Sequence, residues 1–134
     1  MKVKIFILEL LIFYLLNSNF ACAEHWAYIG TSNGKPADID IDSIKYNPTK
    51  DWLVQYNVRR FEQNKMIITG MEMDLKNYQV TILNNSVYKN NMGSYEFLKT
   101  ESNTDRTYKP IKDGSVNWSV YKMFMERYSP DHHW

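Results

Sequence analysis

The sequence predicts an α+β fold, in which an antiparallel β-sheet of about six strands, connected as a meander, packs against one C-terminal α-helix. Aromatic residues are abundant, with 10 Tyr, 6 Phe and 4 Trp, and they favour strands over helices. Apolar and polar residues alternate over positions 52–61, whereas apolar residues recur at helical spacing after Ser115. These three observations together predict a sheet with a helix covering one face.

The first two strands are predicted at residues 25–30 and 37–41. Between them lies Asn33-Gly34, a dipeptide that favours a two-residue hairpin turn. We therefore expect an antiparallel hairpin at the start of the domain.

Three further segments form the predicted meander. Residues 52–61 have the alternation of a half-buried strand, and residues 66–75 and 78–83 follow on either side of a turn at Lys76-Asn77. The predicted buried face comprises Trp52, Val54, Tyr56, Val58, Ile67, Met71, Met73 and Leu75. Residues 84–93 are rich in Asn and predict a turn-rich loop.

The C-terminal part predicts a short edge strand, a loop and the helix. Residues 95–98 form the edge strand and residues 99–107 a charged loop. Ser115 is a good N-cap for a helix, and Ser129-Pro130 ends it. Its apolar stripe contains Val116, Val120, Met123, Phe124 and either Arg127 or Tyr128.

The N-terminal residues have the charge and length pattern of a secretory signal peptide. Lys2 and Lys4 precede an apolar stretch over residues 5–16, which is too short for a membrane-spanning helix of roughly 20 residues. Ala21 and Ala23 then supply the small side chains that signal peptidase accepts.

We therefore expect cleavage between Ala23 and Glu24. Residues 1–23 are then a signal peptide, and residues 24–134 form a single domain exported across a bacterial inner membrane, since 111 residues give room for one core. The leader contains two of the 16 basic residues and one of the 15 acidic ones, so 14 of each remain. A neutral mature protein argues against nucleic acid or an anionic membrane surface as an obligatory partner.

Cys22 is the single cysteine and lies in the leader, so cleavage after Ala23 leaves a protein without disulfides. In an alternative interpretation, Cys22 is lipidated and anchors the protein to a membrane. That interpretation requires an aliphatic residue three positions earlier, where Asn19 stands. The expected location is thus periplasmic or secreted, with a lipid anchor at the cell envelope as the alternative.

Catalytic and metal-binding patterns are weak in this sequence. His25, His132 and His133 lie at the termini of the mature chain, where a reactive side chain is not held rigidly. A site at Asp131-His132-His133 needs more convergent ligands than adjacent residues provide. Asp38, Asp40 and Asp42 alternate on one strand face, which we interpret as a solvated face or a strand-end cap and not as a cation site.

Cofactor and stacking motifs are also weak. The five glycines are scattered singly and form no phosphate-binding loop, so we expect no cofactor. The aromatic excess is interpreted mainly as core packing with some surface stickiness, because a neutral chain lacks the charge of a nucleic-acid platform. We expect a protein that is not an enzyme.

Several short segments, in their order and spacing, resemble the surface-adhesin protein E-like family of bacterial envelopes. They are Trp26-x-x-Ile29-Gly30, Ile39-Asp40-Ile41-Asp42-Ser43-Ile44, Glu72-Met73-Asp74, and Tyr108-Lys109-Pro110-Ile111-Lys112-Asp113-Gly114-Ser115. The resemblance spans nearly the whole mature chain.

This resemblance implies a highly curved antiparallel sheet with the C-terminal helix on its concave side. It also implies export and, as in the best-known member, adhesion to host matrix and serum proteins. Many members have a cysteine where this chain has Leu75, and a second where it has Met123 to Met125. The resemblance therefore implies that apolar packing replaces a disulfide between sheet and helix.

The leading functional hypothesis is an exported binding protein whose contact surface for another macromolecule is a sheet face or the loop at residues 84–93. One alternative is a periplasmic enzyme, or an inhibitor of one, that uses the carboxylates of Asp40, Asp42 and Glu72. Another is a structural envelope subunit that self-associates, for example as a homodimer, through an exposed sheet edge.

Overall fold

The structure is a computed structural model that describes residues 25–128. The predicted signal peptide, its cleavage site at Ala23 and Glu24, and Cys22 lie outside these residues. Seven strands and one helix follow one another in the described part of the chain. They are β1 (Trp26–Ser32), β2 (Lys35–Tyr46), β3 (Leu53–Glu62), β4 (Lys65–Asp74), β5 (Gln79–Asn91), β6 (Ser94–Ser102), β7 (Lys109–Pro110) and α1 (Val116–Tyr128).

The strands form one open, curved sheet. Strands β1 to β6 pair with their neighbours in chain order, all antiparallel, and the short β7 pairs with the beginning of β5. This arrangement confirms the predicted α+β fold, with an antiparallel meander and a C-terminal helix. Because neighbouring strands are also neighbours along the chain, short turns suffice to connect them.

The core lies between α1 and one face of the sheet, which we call the inner face. Strand residues on the inner face and two helix residues are buried together, and two aromatic rings form the centre of this core. The phenyl ring of Phe124 packs edge-to-face on the ring of Tyr56, with 5.3 Å between centroids. The other buried members include Ile39, Val54, Met71, Met73, Val80 and Val120.

The helix begins where the sequence predicts. The backbone N–H of Trp118 donates to the Ser115 hydroxyl at 3.2 Å, which is an N-cap contact. Val120 and Phe124 are fully buried, and Val116 and Met123 are half-buried, so the predicted stripe faces the sheet. Arg127, by contrast, is exposed.

The resemblance implies that apolar packing replaces a disulfide between sheet and helix, and the packing of the core agrees with this. Leu75 is buried within the core cluster, and Met123 and Met125 pack against the same cluster from the helix. Apolar contacts therefore join sheet and helix at these positions.

The predicted strand at residues 37–41 is shorter than the strand in the structure. Strand β2 runs from Lys35 to Tyr46, with an irregular register between Asp40 and Lys45. The Asp40 carboxylate accepts from the backbone N–H of His25 at 3.3 Å and of Asp42 at 3.1 Å. Side-chain hydrogen bonds thus satisfy backbone groups where the ladder is interrupted.

The predicted loop at residues 84–93 is wrong. Strand β5 continues to Asn91, and only Met92 and Gly93 form the turn to β6. The predicted loop at residues 99–107 is wrong in its first part, because β6 extends to Ser102. Pairing with β4 on one side and β6 on the other outweighs the low strand propensity of the asparagines.

A buried hydroxyl in the core gives a first prediction. Among the residues that the structure describes, none forms a hydrogen bond with the Tyr56 hydroxyl, and burial raises the pKa of this phenol. A buried polar group without a partner costs about 1–3 kcal/mol. We expect Tyr56→Phe to leave the free energy of unfolding unchanged or to raise it by up to about 1 kcal/mol in urea titrations.

Tyr78→Phe is the matched control. Burial and a 2.7 Å hydrogen bond to Asp113 raise the pKa of Tyr78 to about 12. Since this pKa lies above the ordinary value of 10.0, the hydroxyl stabilises the fold fully below about pH 10 and progressively less up to about pH 12. Tyr78→Phe should therefore lower the urea concentration at the midpoint of unfolding at pH 7, and it should have less effect as the pH approaches 12. A greater loss of stability for Tyr56→Phe than for Tyr78→Phe at pH 7 would contradict this account.

Candidate functional site: the outer aromatic face

The side of the sheet opposite α1 carries a row of aromatic and apolar side chains. Residues directly opposite each other on paired strands share a face, and the register places Phe61, Met66, Tyr88 and Phe97 in one row across β3 to β6. Trp26 and Tyr28 on β1 and Tyr95 on β6 lie on the same side. We call the surface formed by Trp26, Tyr28, Phe61, Tyr88, Tyr95 and Phe97 the outer aromatic face.

The rings of the outer aromatic face contact one another. Phe61 and Tyr95 have centroids 5.7 Å apart, and Tyr88 and Phe97 have centroids 5.6 Å apart. Tyr28 is 66% exposed and Phe97 58% exposed. Neighbouring side chains hold these rings in place, although no second layer of the described residues covers them.

Arg59 links the rings of β1 and β3. Its Nε donates to the Asp38 carboxylate at 2.9 Å, and its guanidinium carbon lies 4.5 Å from the Trp26 ring centroid and 5.2 Å from that of Phe61. A guanidinium stacked on aromatic rings is attracted by their negative faces. Arg59 therefore fixes the orientation of this part of the outer aromatic face.

The apolar surface continues to the end of the β5–β6 hairpin. Met92 is fully exposed in the turn, and Leu98, half exposed, occupies an irregularity in the register of β6. Met92 also has a positive φ of 54°, a conformation that is unfavourable for a residue with a side chain. An apolar side chain thus stands at the tip of the hairpin although Asn or Gly suits this turn better.

The carboxylates suggested by the sequence do not form one site. Asp38 pairs with Arg59, Asp40 accepts from backbone N–H groups, and Asp42 is exposed with an oxygen 3.7 Å from Nδ1 of His25. Glu72 accepts from the hydroxyl of Tyr108 and from the Gln55 amide. Among residues 25–128, no three His, Cys, Asp or Glu side chains are arranged to hold a metal ion. Asp131, His132 and His133 lie outside the described residues.

The inner face contains a cleft beside α1. It has a volume of about 350 Å³ and lies between the beginning of α1 and the strands β4 and β5. Its floor includes Met71 and Val80, and Lys109 and Asn103 lie at its rim. Within the described part of the chain, no helix is long and apolar enough to cross a membrane.

The fold is similar to that of Haemophilus influenzae protein E. The TM-score with that solved structure is 0.56, at 9% sequence identity, and the match covers 82% of this chain and 97% of that one. No known family profile and no curated protein sequence matches the chain. The curved sheet and helix implied by the resemblance to protein E-like domains are therefore confirmed at the level of the fold.

Sequence reasoning identified the aromatic excess but assigned most of it to the core. The core does contain Tyr56 and Phe124, yet six rings lie on the outer aromatic face. Alternation of Tyr95 and Phe97 within β6 was a usable signal, because such spacing places both on one face of a strand. Whether that face is buried or exposed depends on which side of the sheet the helix covers, and the local pattern does not reveal this.

Arg59 and its neighbour Arg60 offer a matched pair of substitutions. Arg59→Gln removes the ion pair with Asp38 and the ring contacts, in a side chain that is only 25% exposed. We expect a loss of about 1–2 kcal/mol in the free energy of unfolding, measured by urea titration. Arg60→Gln removes a more exposed ion pair with Glu62 and should cost less than about 0.5 kcal/mol. Equal losses for the two variants would show that Arg59 does not fix the rings.

Proposed function

We propose that the protein is exported and acts, without catalysis, as a binding protein of the bacterial envelope that contacts a protein partner through the outer aromatic face. The observation that carries this proposal is the cluster of partly or fully exposed rings on the side of the sheet opposite α1, with Trp26 and Phe61 held around Arg59. Aromatic residues and Arg contribute disproportionately to the energy of protein–protein interfaces. Rings that are already held by their neighbours also lose less conformational freedom on binding.

The hydrogen bonds that the carboxylates form within the fold support a function without catalysis. General acid–base chemistry needs carboxyl groups that are free to exchange a proton with a substrate. Of the three carboxylates considered from the sequence, Asp40 is engaged with backbone N–H groups and Glu72 with a tyrosine hydroxyl, so only Asp42 remains exposed. The proposed partner is a protein and not nucleic acid, because the mature chain is expected to be neutral.

Export and location rest on the N-terminal pattern. The adhesion implied by the family resemblance is one form that binding by such an envelope protein takes. In the proposed arrangement, the mature protein begins at Glu24 and is periplasmic or secreted. Lipidation at Cys22 is the alternative, and it would hold the same domain at a membrane surface.

The export proposal predicts the mass of the mature protein. After expression in its own bacterium, intact mass spectrometry of the soluble fraction should find a chain that begins at Glu24. Cys22→Ser should leave both the mass and the fraction unchanged. A membrane-bound form that carries lipid on Cys22, and is lost in Cys22→Ser, would instead establish the anchored form.

The binding proposal predicts where a partner can be captured. We would replace Phe61, on the outer aromatic face, with a photoreactive benzophenone amino acid. The matched control is the same replacement at Ile82, which is similarly exposed but lies on the inner face. Irradiation of living cells should give a covalent adduct with one other protein from position 61 and none from position 82.

Three results would contradict this binding proposal. They are an adduct from position 82 alone, no adduct from either position, or an adduct from position 61 that contains only a second copy of this chain. Phe61→Ser provides an independent check, since it should abolish the interaction with the identified partner while Ile82→Ser preserves it.

A further inference from the structure

The cleft on the inner face continues into a second cavity beside the beginning of α1. The two cavities have volumes of about 350 and 190 Å³, and Met71, Ile82 and Asn117 line both of them. One end of the combined space lies at β7 and the loop before α1, and the other end reaches β2 and β3. We call this space the inner groove. Its volume is in the range of sites for small ligands, roughly 300–1,000 Å³.

The floor of the inner groove is apolar and includes one side chain that remains partly in water. Met71 and Val80 are buried, whereas Ile82 is 40% exposed. Ile82 lies directly opposite Met71 on the β4–β5 ladder, so both side chains lie on the inner face. An apolar chain that covers Ile82 removes this surface from water, which favours binding.

The charge at one end of the inner groove is positive. Lys109 and Lys112 line this end, and among the described residues neither of them is part of an ion pair. Asp105 also lies here, but its carboxylate accepts from the backbone N–H of Thr107 at 3.2 Å and from the hydroxyl of the same residue. The first turn of α1, which borders the groove, contains no acidic residue. The two lysines therefore favour an anionic group at this end.

We propose that the inner groove binds a monocarboxylate with an unbranched alkyl chain, a medium-chain fatty acid in chemical terms. The carboxylate contacts Lys109 and Lys112, and the alkyl chain lies along Met71, Val80 and Ile82. The lysines favour an anion over a neutral ligand, and the apolar floor favours an alkyl chain over a sugar or another polar molecule. The inner groove lies on the side of the sheet opposite the outer aromatic face, so this site is separate from the one proposed for a protein partner.

Calorimetric titration of the purified exported protein with sodium octanoate, below its micelle concentration, tests the chemistry of the ligand. Octanoate should bind saturably at one site per chain. Shorter monocarboxylates should bind about fourfold more weakly for each methylene removed, the factor that corresponds to about 0.8 kcal/mol. Octanol and octylammonium, which carry the same chain without a negative charge, should bind more weakly than octanoate. Absence of saturable octanoate binding, or equal affinities for octanoate and octylammonium, would overturn the proposal.

Substitutions separate the contributions of the charge and of the floor. Lys109→Gln and Lys112→Gln should each weaken octanoate binding by about two- to fivefold, and the double variant should lose the preference for octanoate over octanol. Lys50→Gln, a matched loss of charge in the exposed loop between β2 and β3, should leave the affinity unchanged. Ile82→Ser should weaken binding by about tenfold, whereas Phe61→Ser on the outer aromatic face should have no effect. An unchanged affinity in the double lysine variant would contradict the assigned position of the carboxylate.

Methyl NMR locates the ligand on the unsubstituted chain and does not depend on the folding of any variant. With labelled Met and Ile methyl groups, octanoate should shift the signals of Met71 and Ile82 at the inner groove. The signal of Met66, which lies opposite Phe61 on the other side of the sheet, should not move. A shift at Met66 with none at Ile82 would place the ligand on the outer side and refute the assignment.

Discussion

The contact between Phe124 and Tyr56 fixes α1 to one face of the sheet, and the remaining surface of the molecule follows from it. The two rings lie edge-to-face at the centre of the core, and Val54, Met73 and Val120 are buried around them. A single helix of 13 residues can cover only one face of a six-stranded meander. Within residues 25–128 no second layer covers the opposite face, so its rings pack among themselves and stay accessible.

The residues that carry the family resemblance have structural roles. The Ser43 hydroxyl donates to the backbone C=O of Asp40 at 2.7 Å and accepts from the N–H of Asn57 at 2.8 Å, within the irregular part of β2. Asp74 accepts from the N–H groups of Lys76 and Asn77, both at 3.0 Å, in the turn after β4. Such contacts satisfy backbone groups where the sheet is irregular.

Gly30, at the end of the Trp26-x-x-Ile29-Gly30 segment, lies where the sheet meets the helix. Its φ of 145° lies where only glycine is comfortable, at an irregularity in β1. A Cβ atom at this position would lie 3.6 Å from Cγ2 of Val116, at the beginning of α1. The bend in β1 therefore adjoins the first turn of the helix. On the opposite side of the sheet, Trp26 of the same strand belongs to the outer aromatic face and contacts Arg59.

Local pattern was sufficient to determine the fold class, the hairpin at Asn33-Gly34, the alternation in β3 and β4, and the N-cap at Ser115, because each depends on residues close together in sequence. It failed for residues 84–91 and 99–102, whose strand structure comes from pairing with β4 and with each other across long sequence separations. The sequence by itself also determined the supply of aromatic side chains. Only the tertiary structure decided which of them are buried, since the position of one helix determines which face of the sheet is excluded from water.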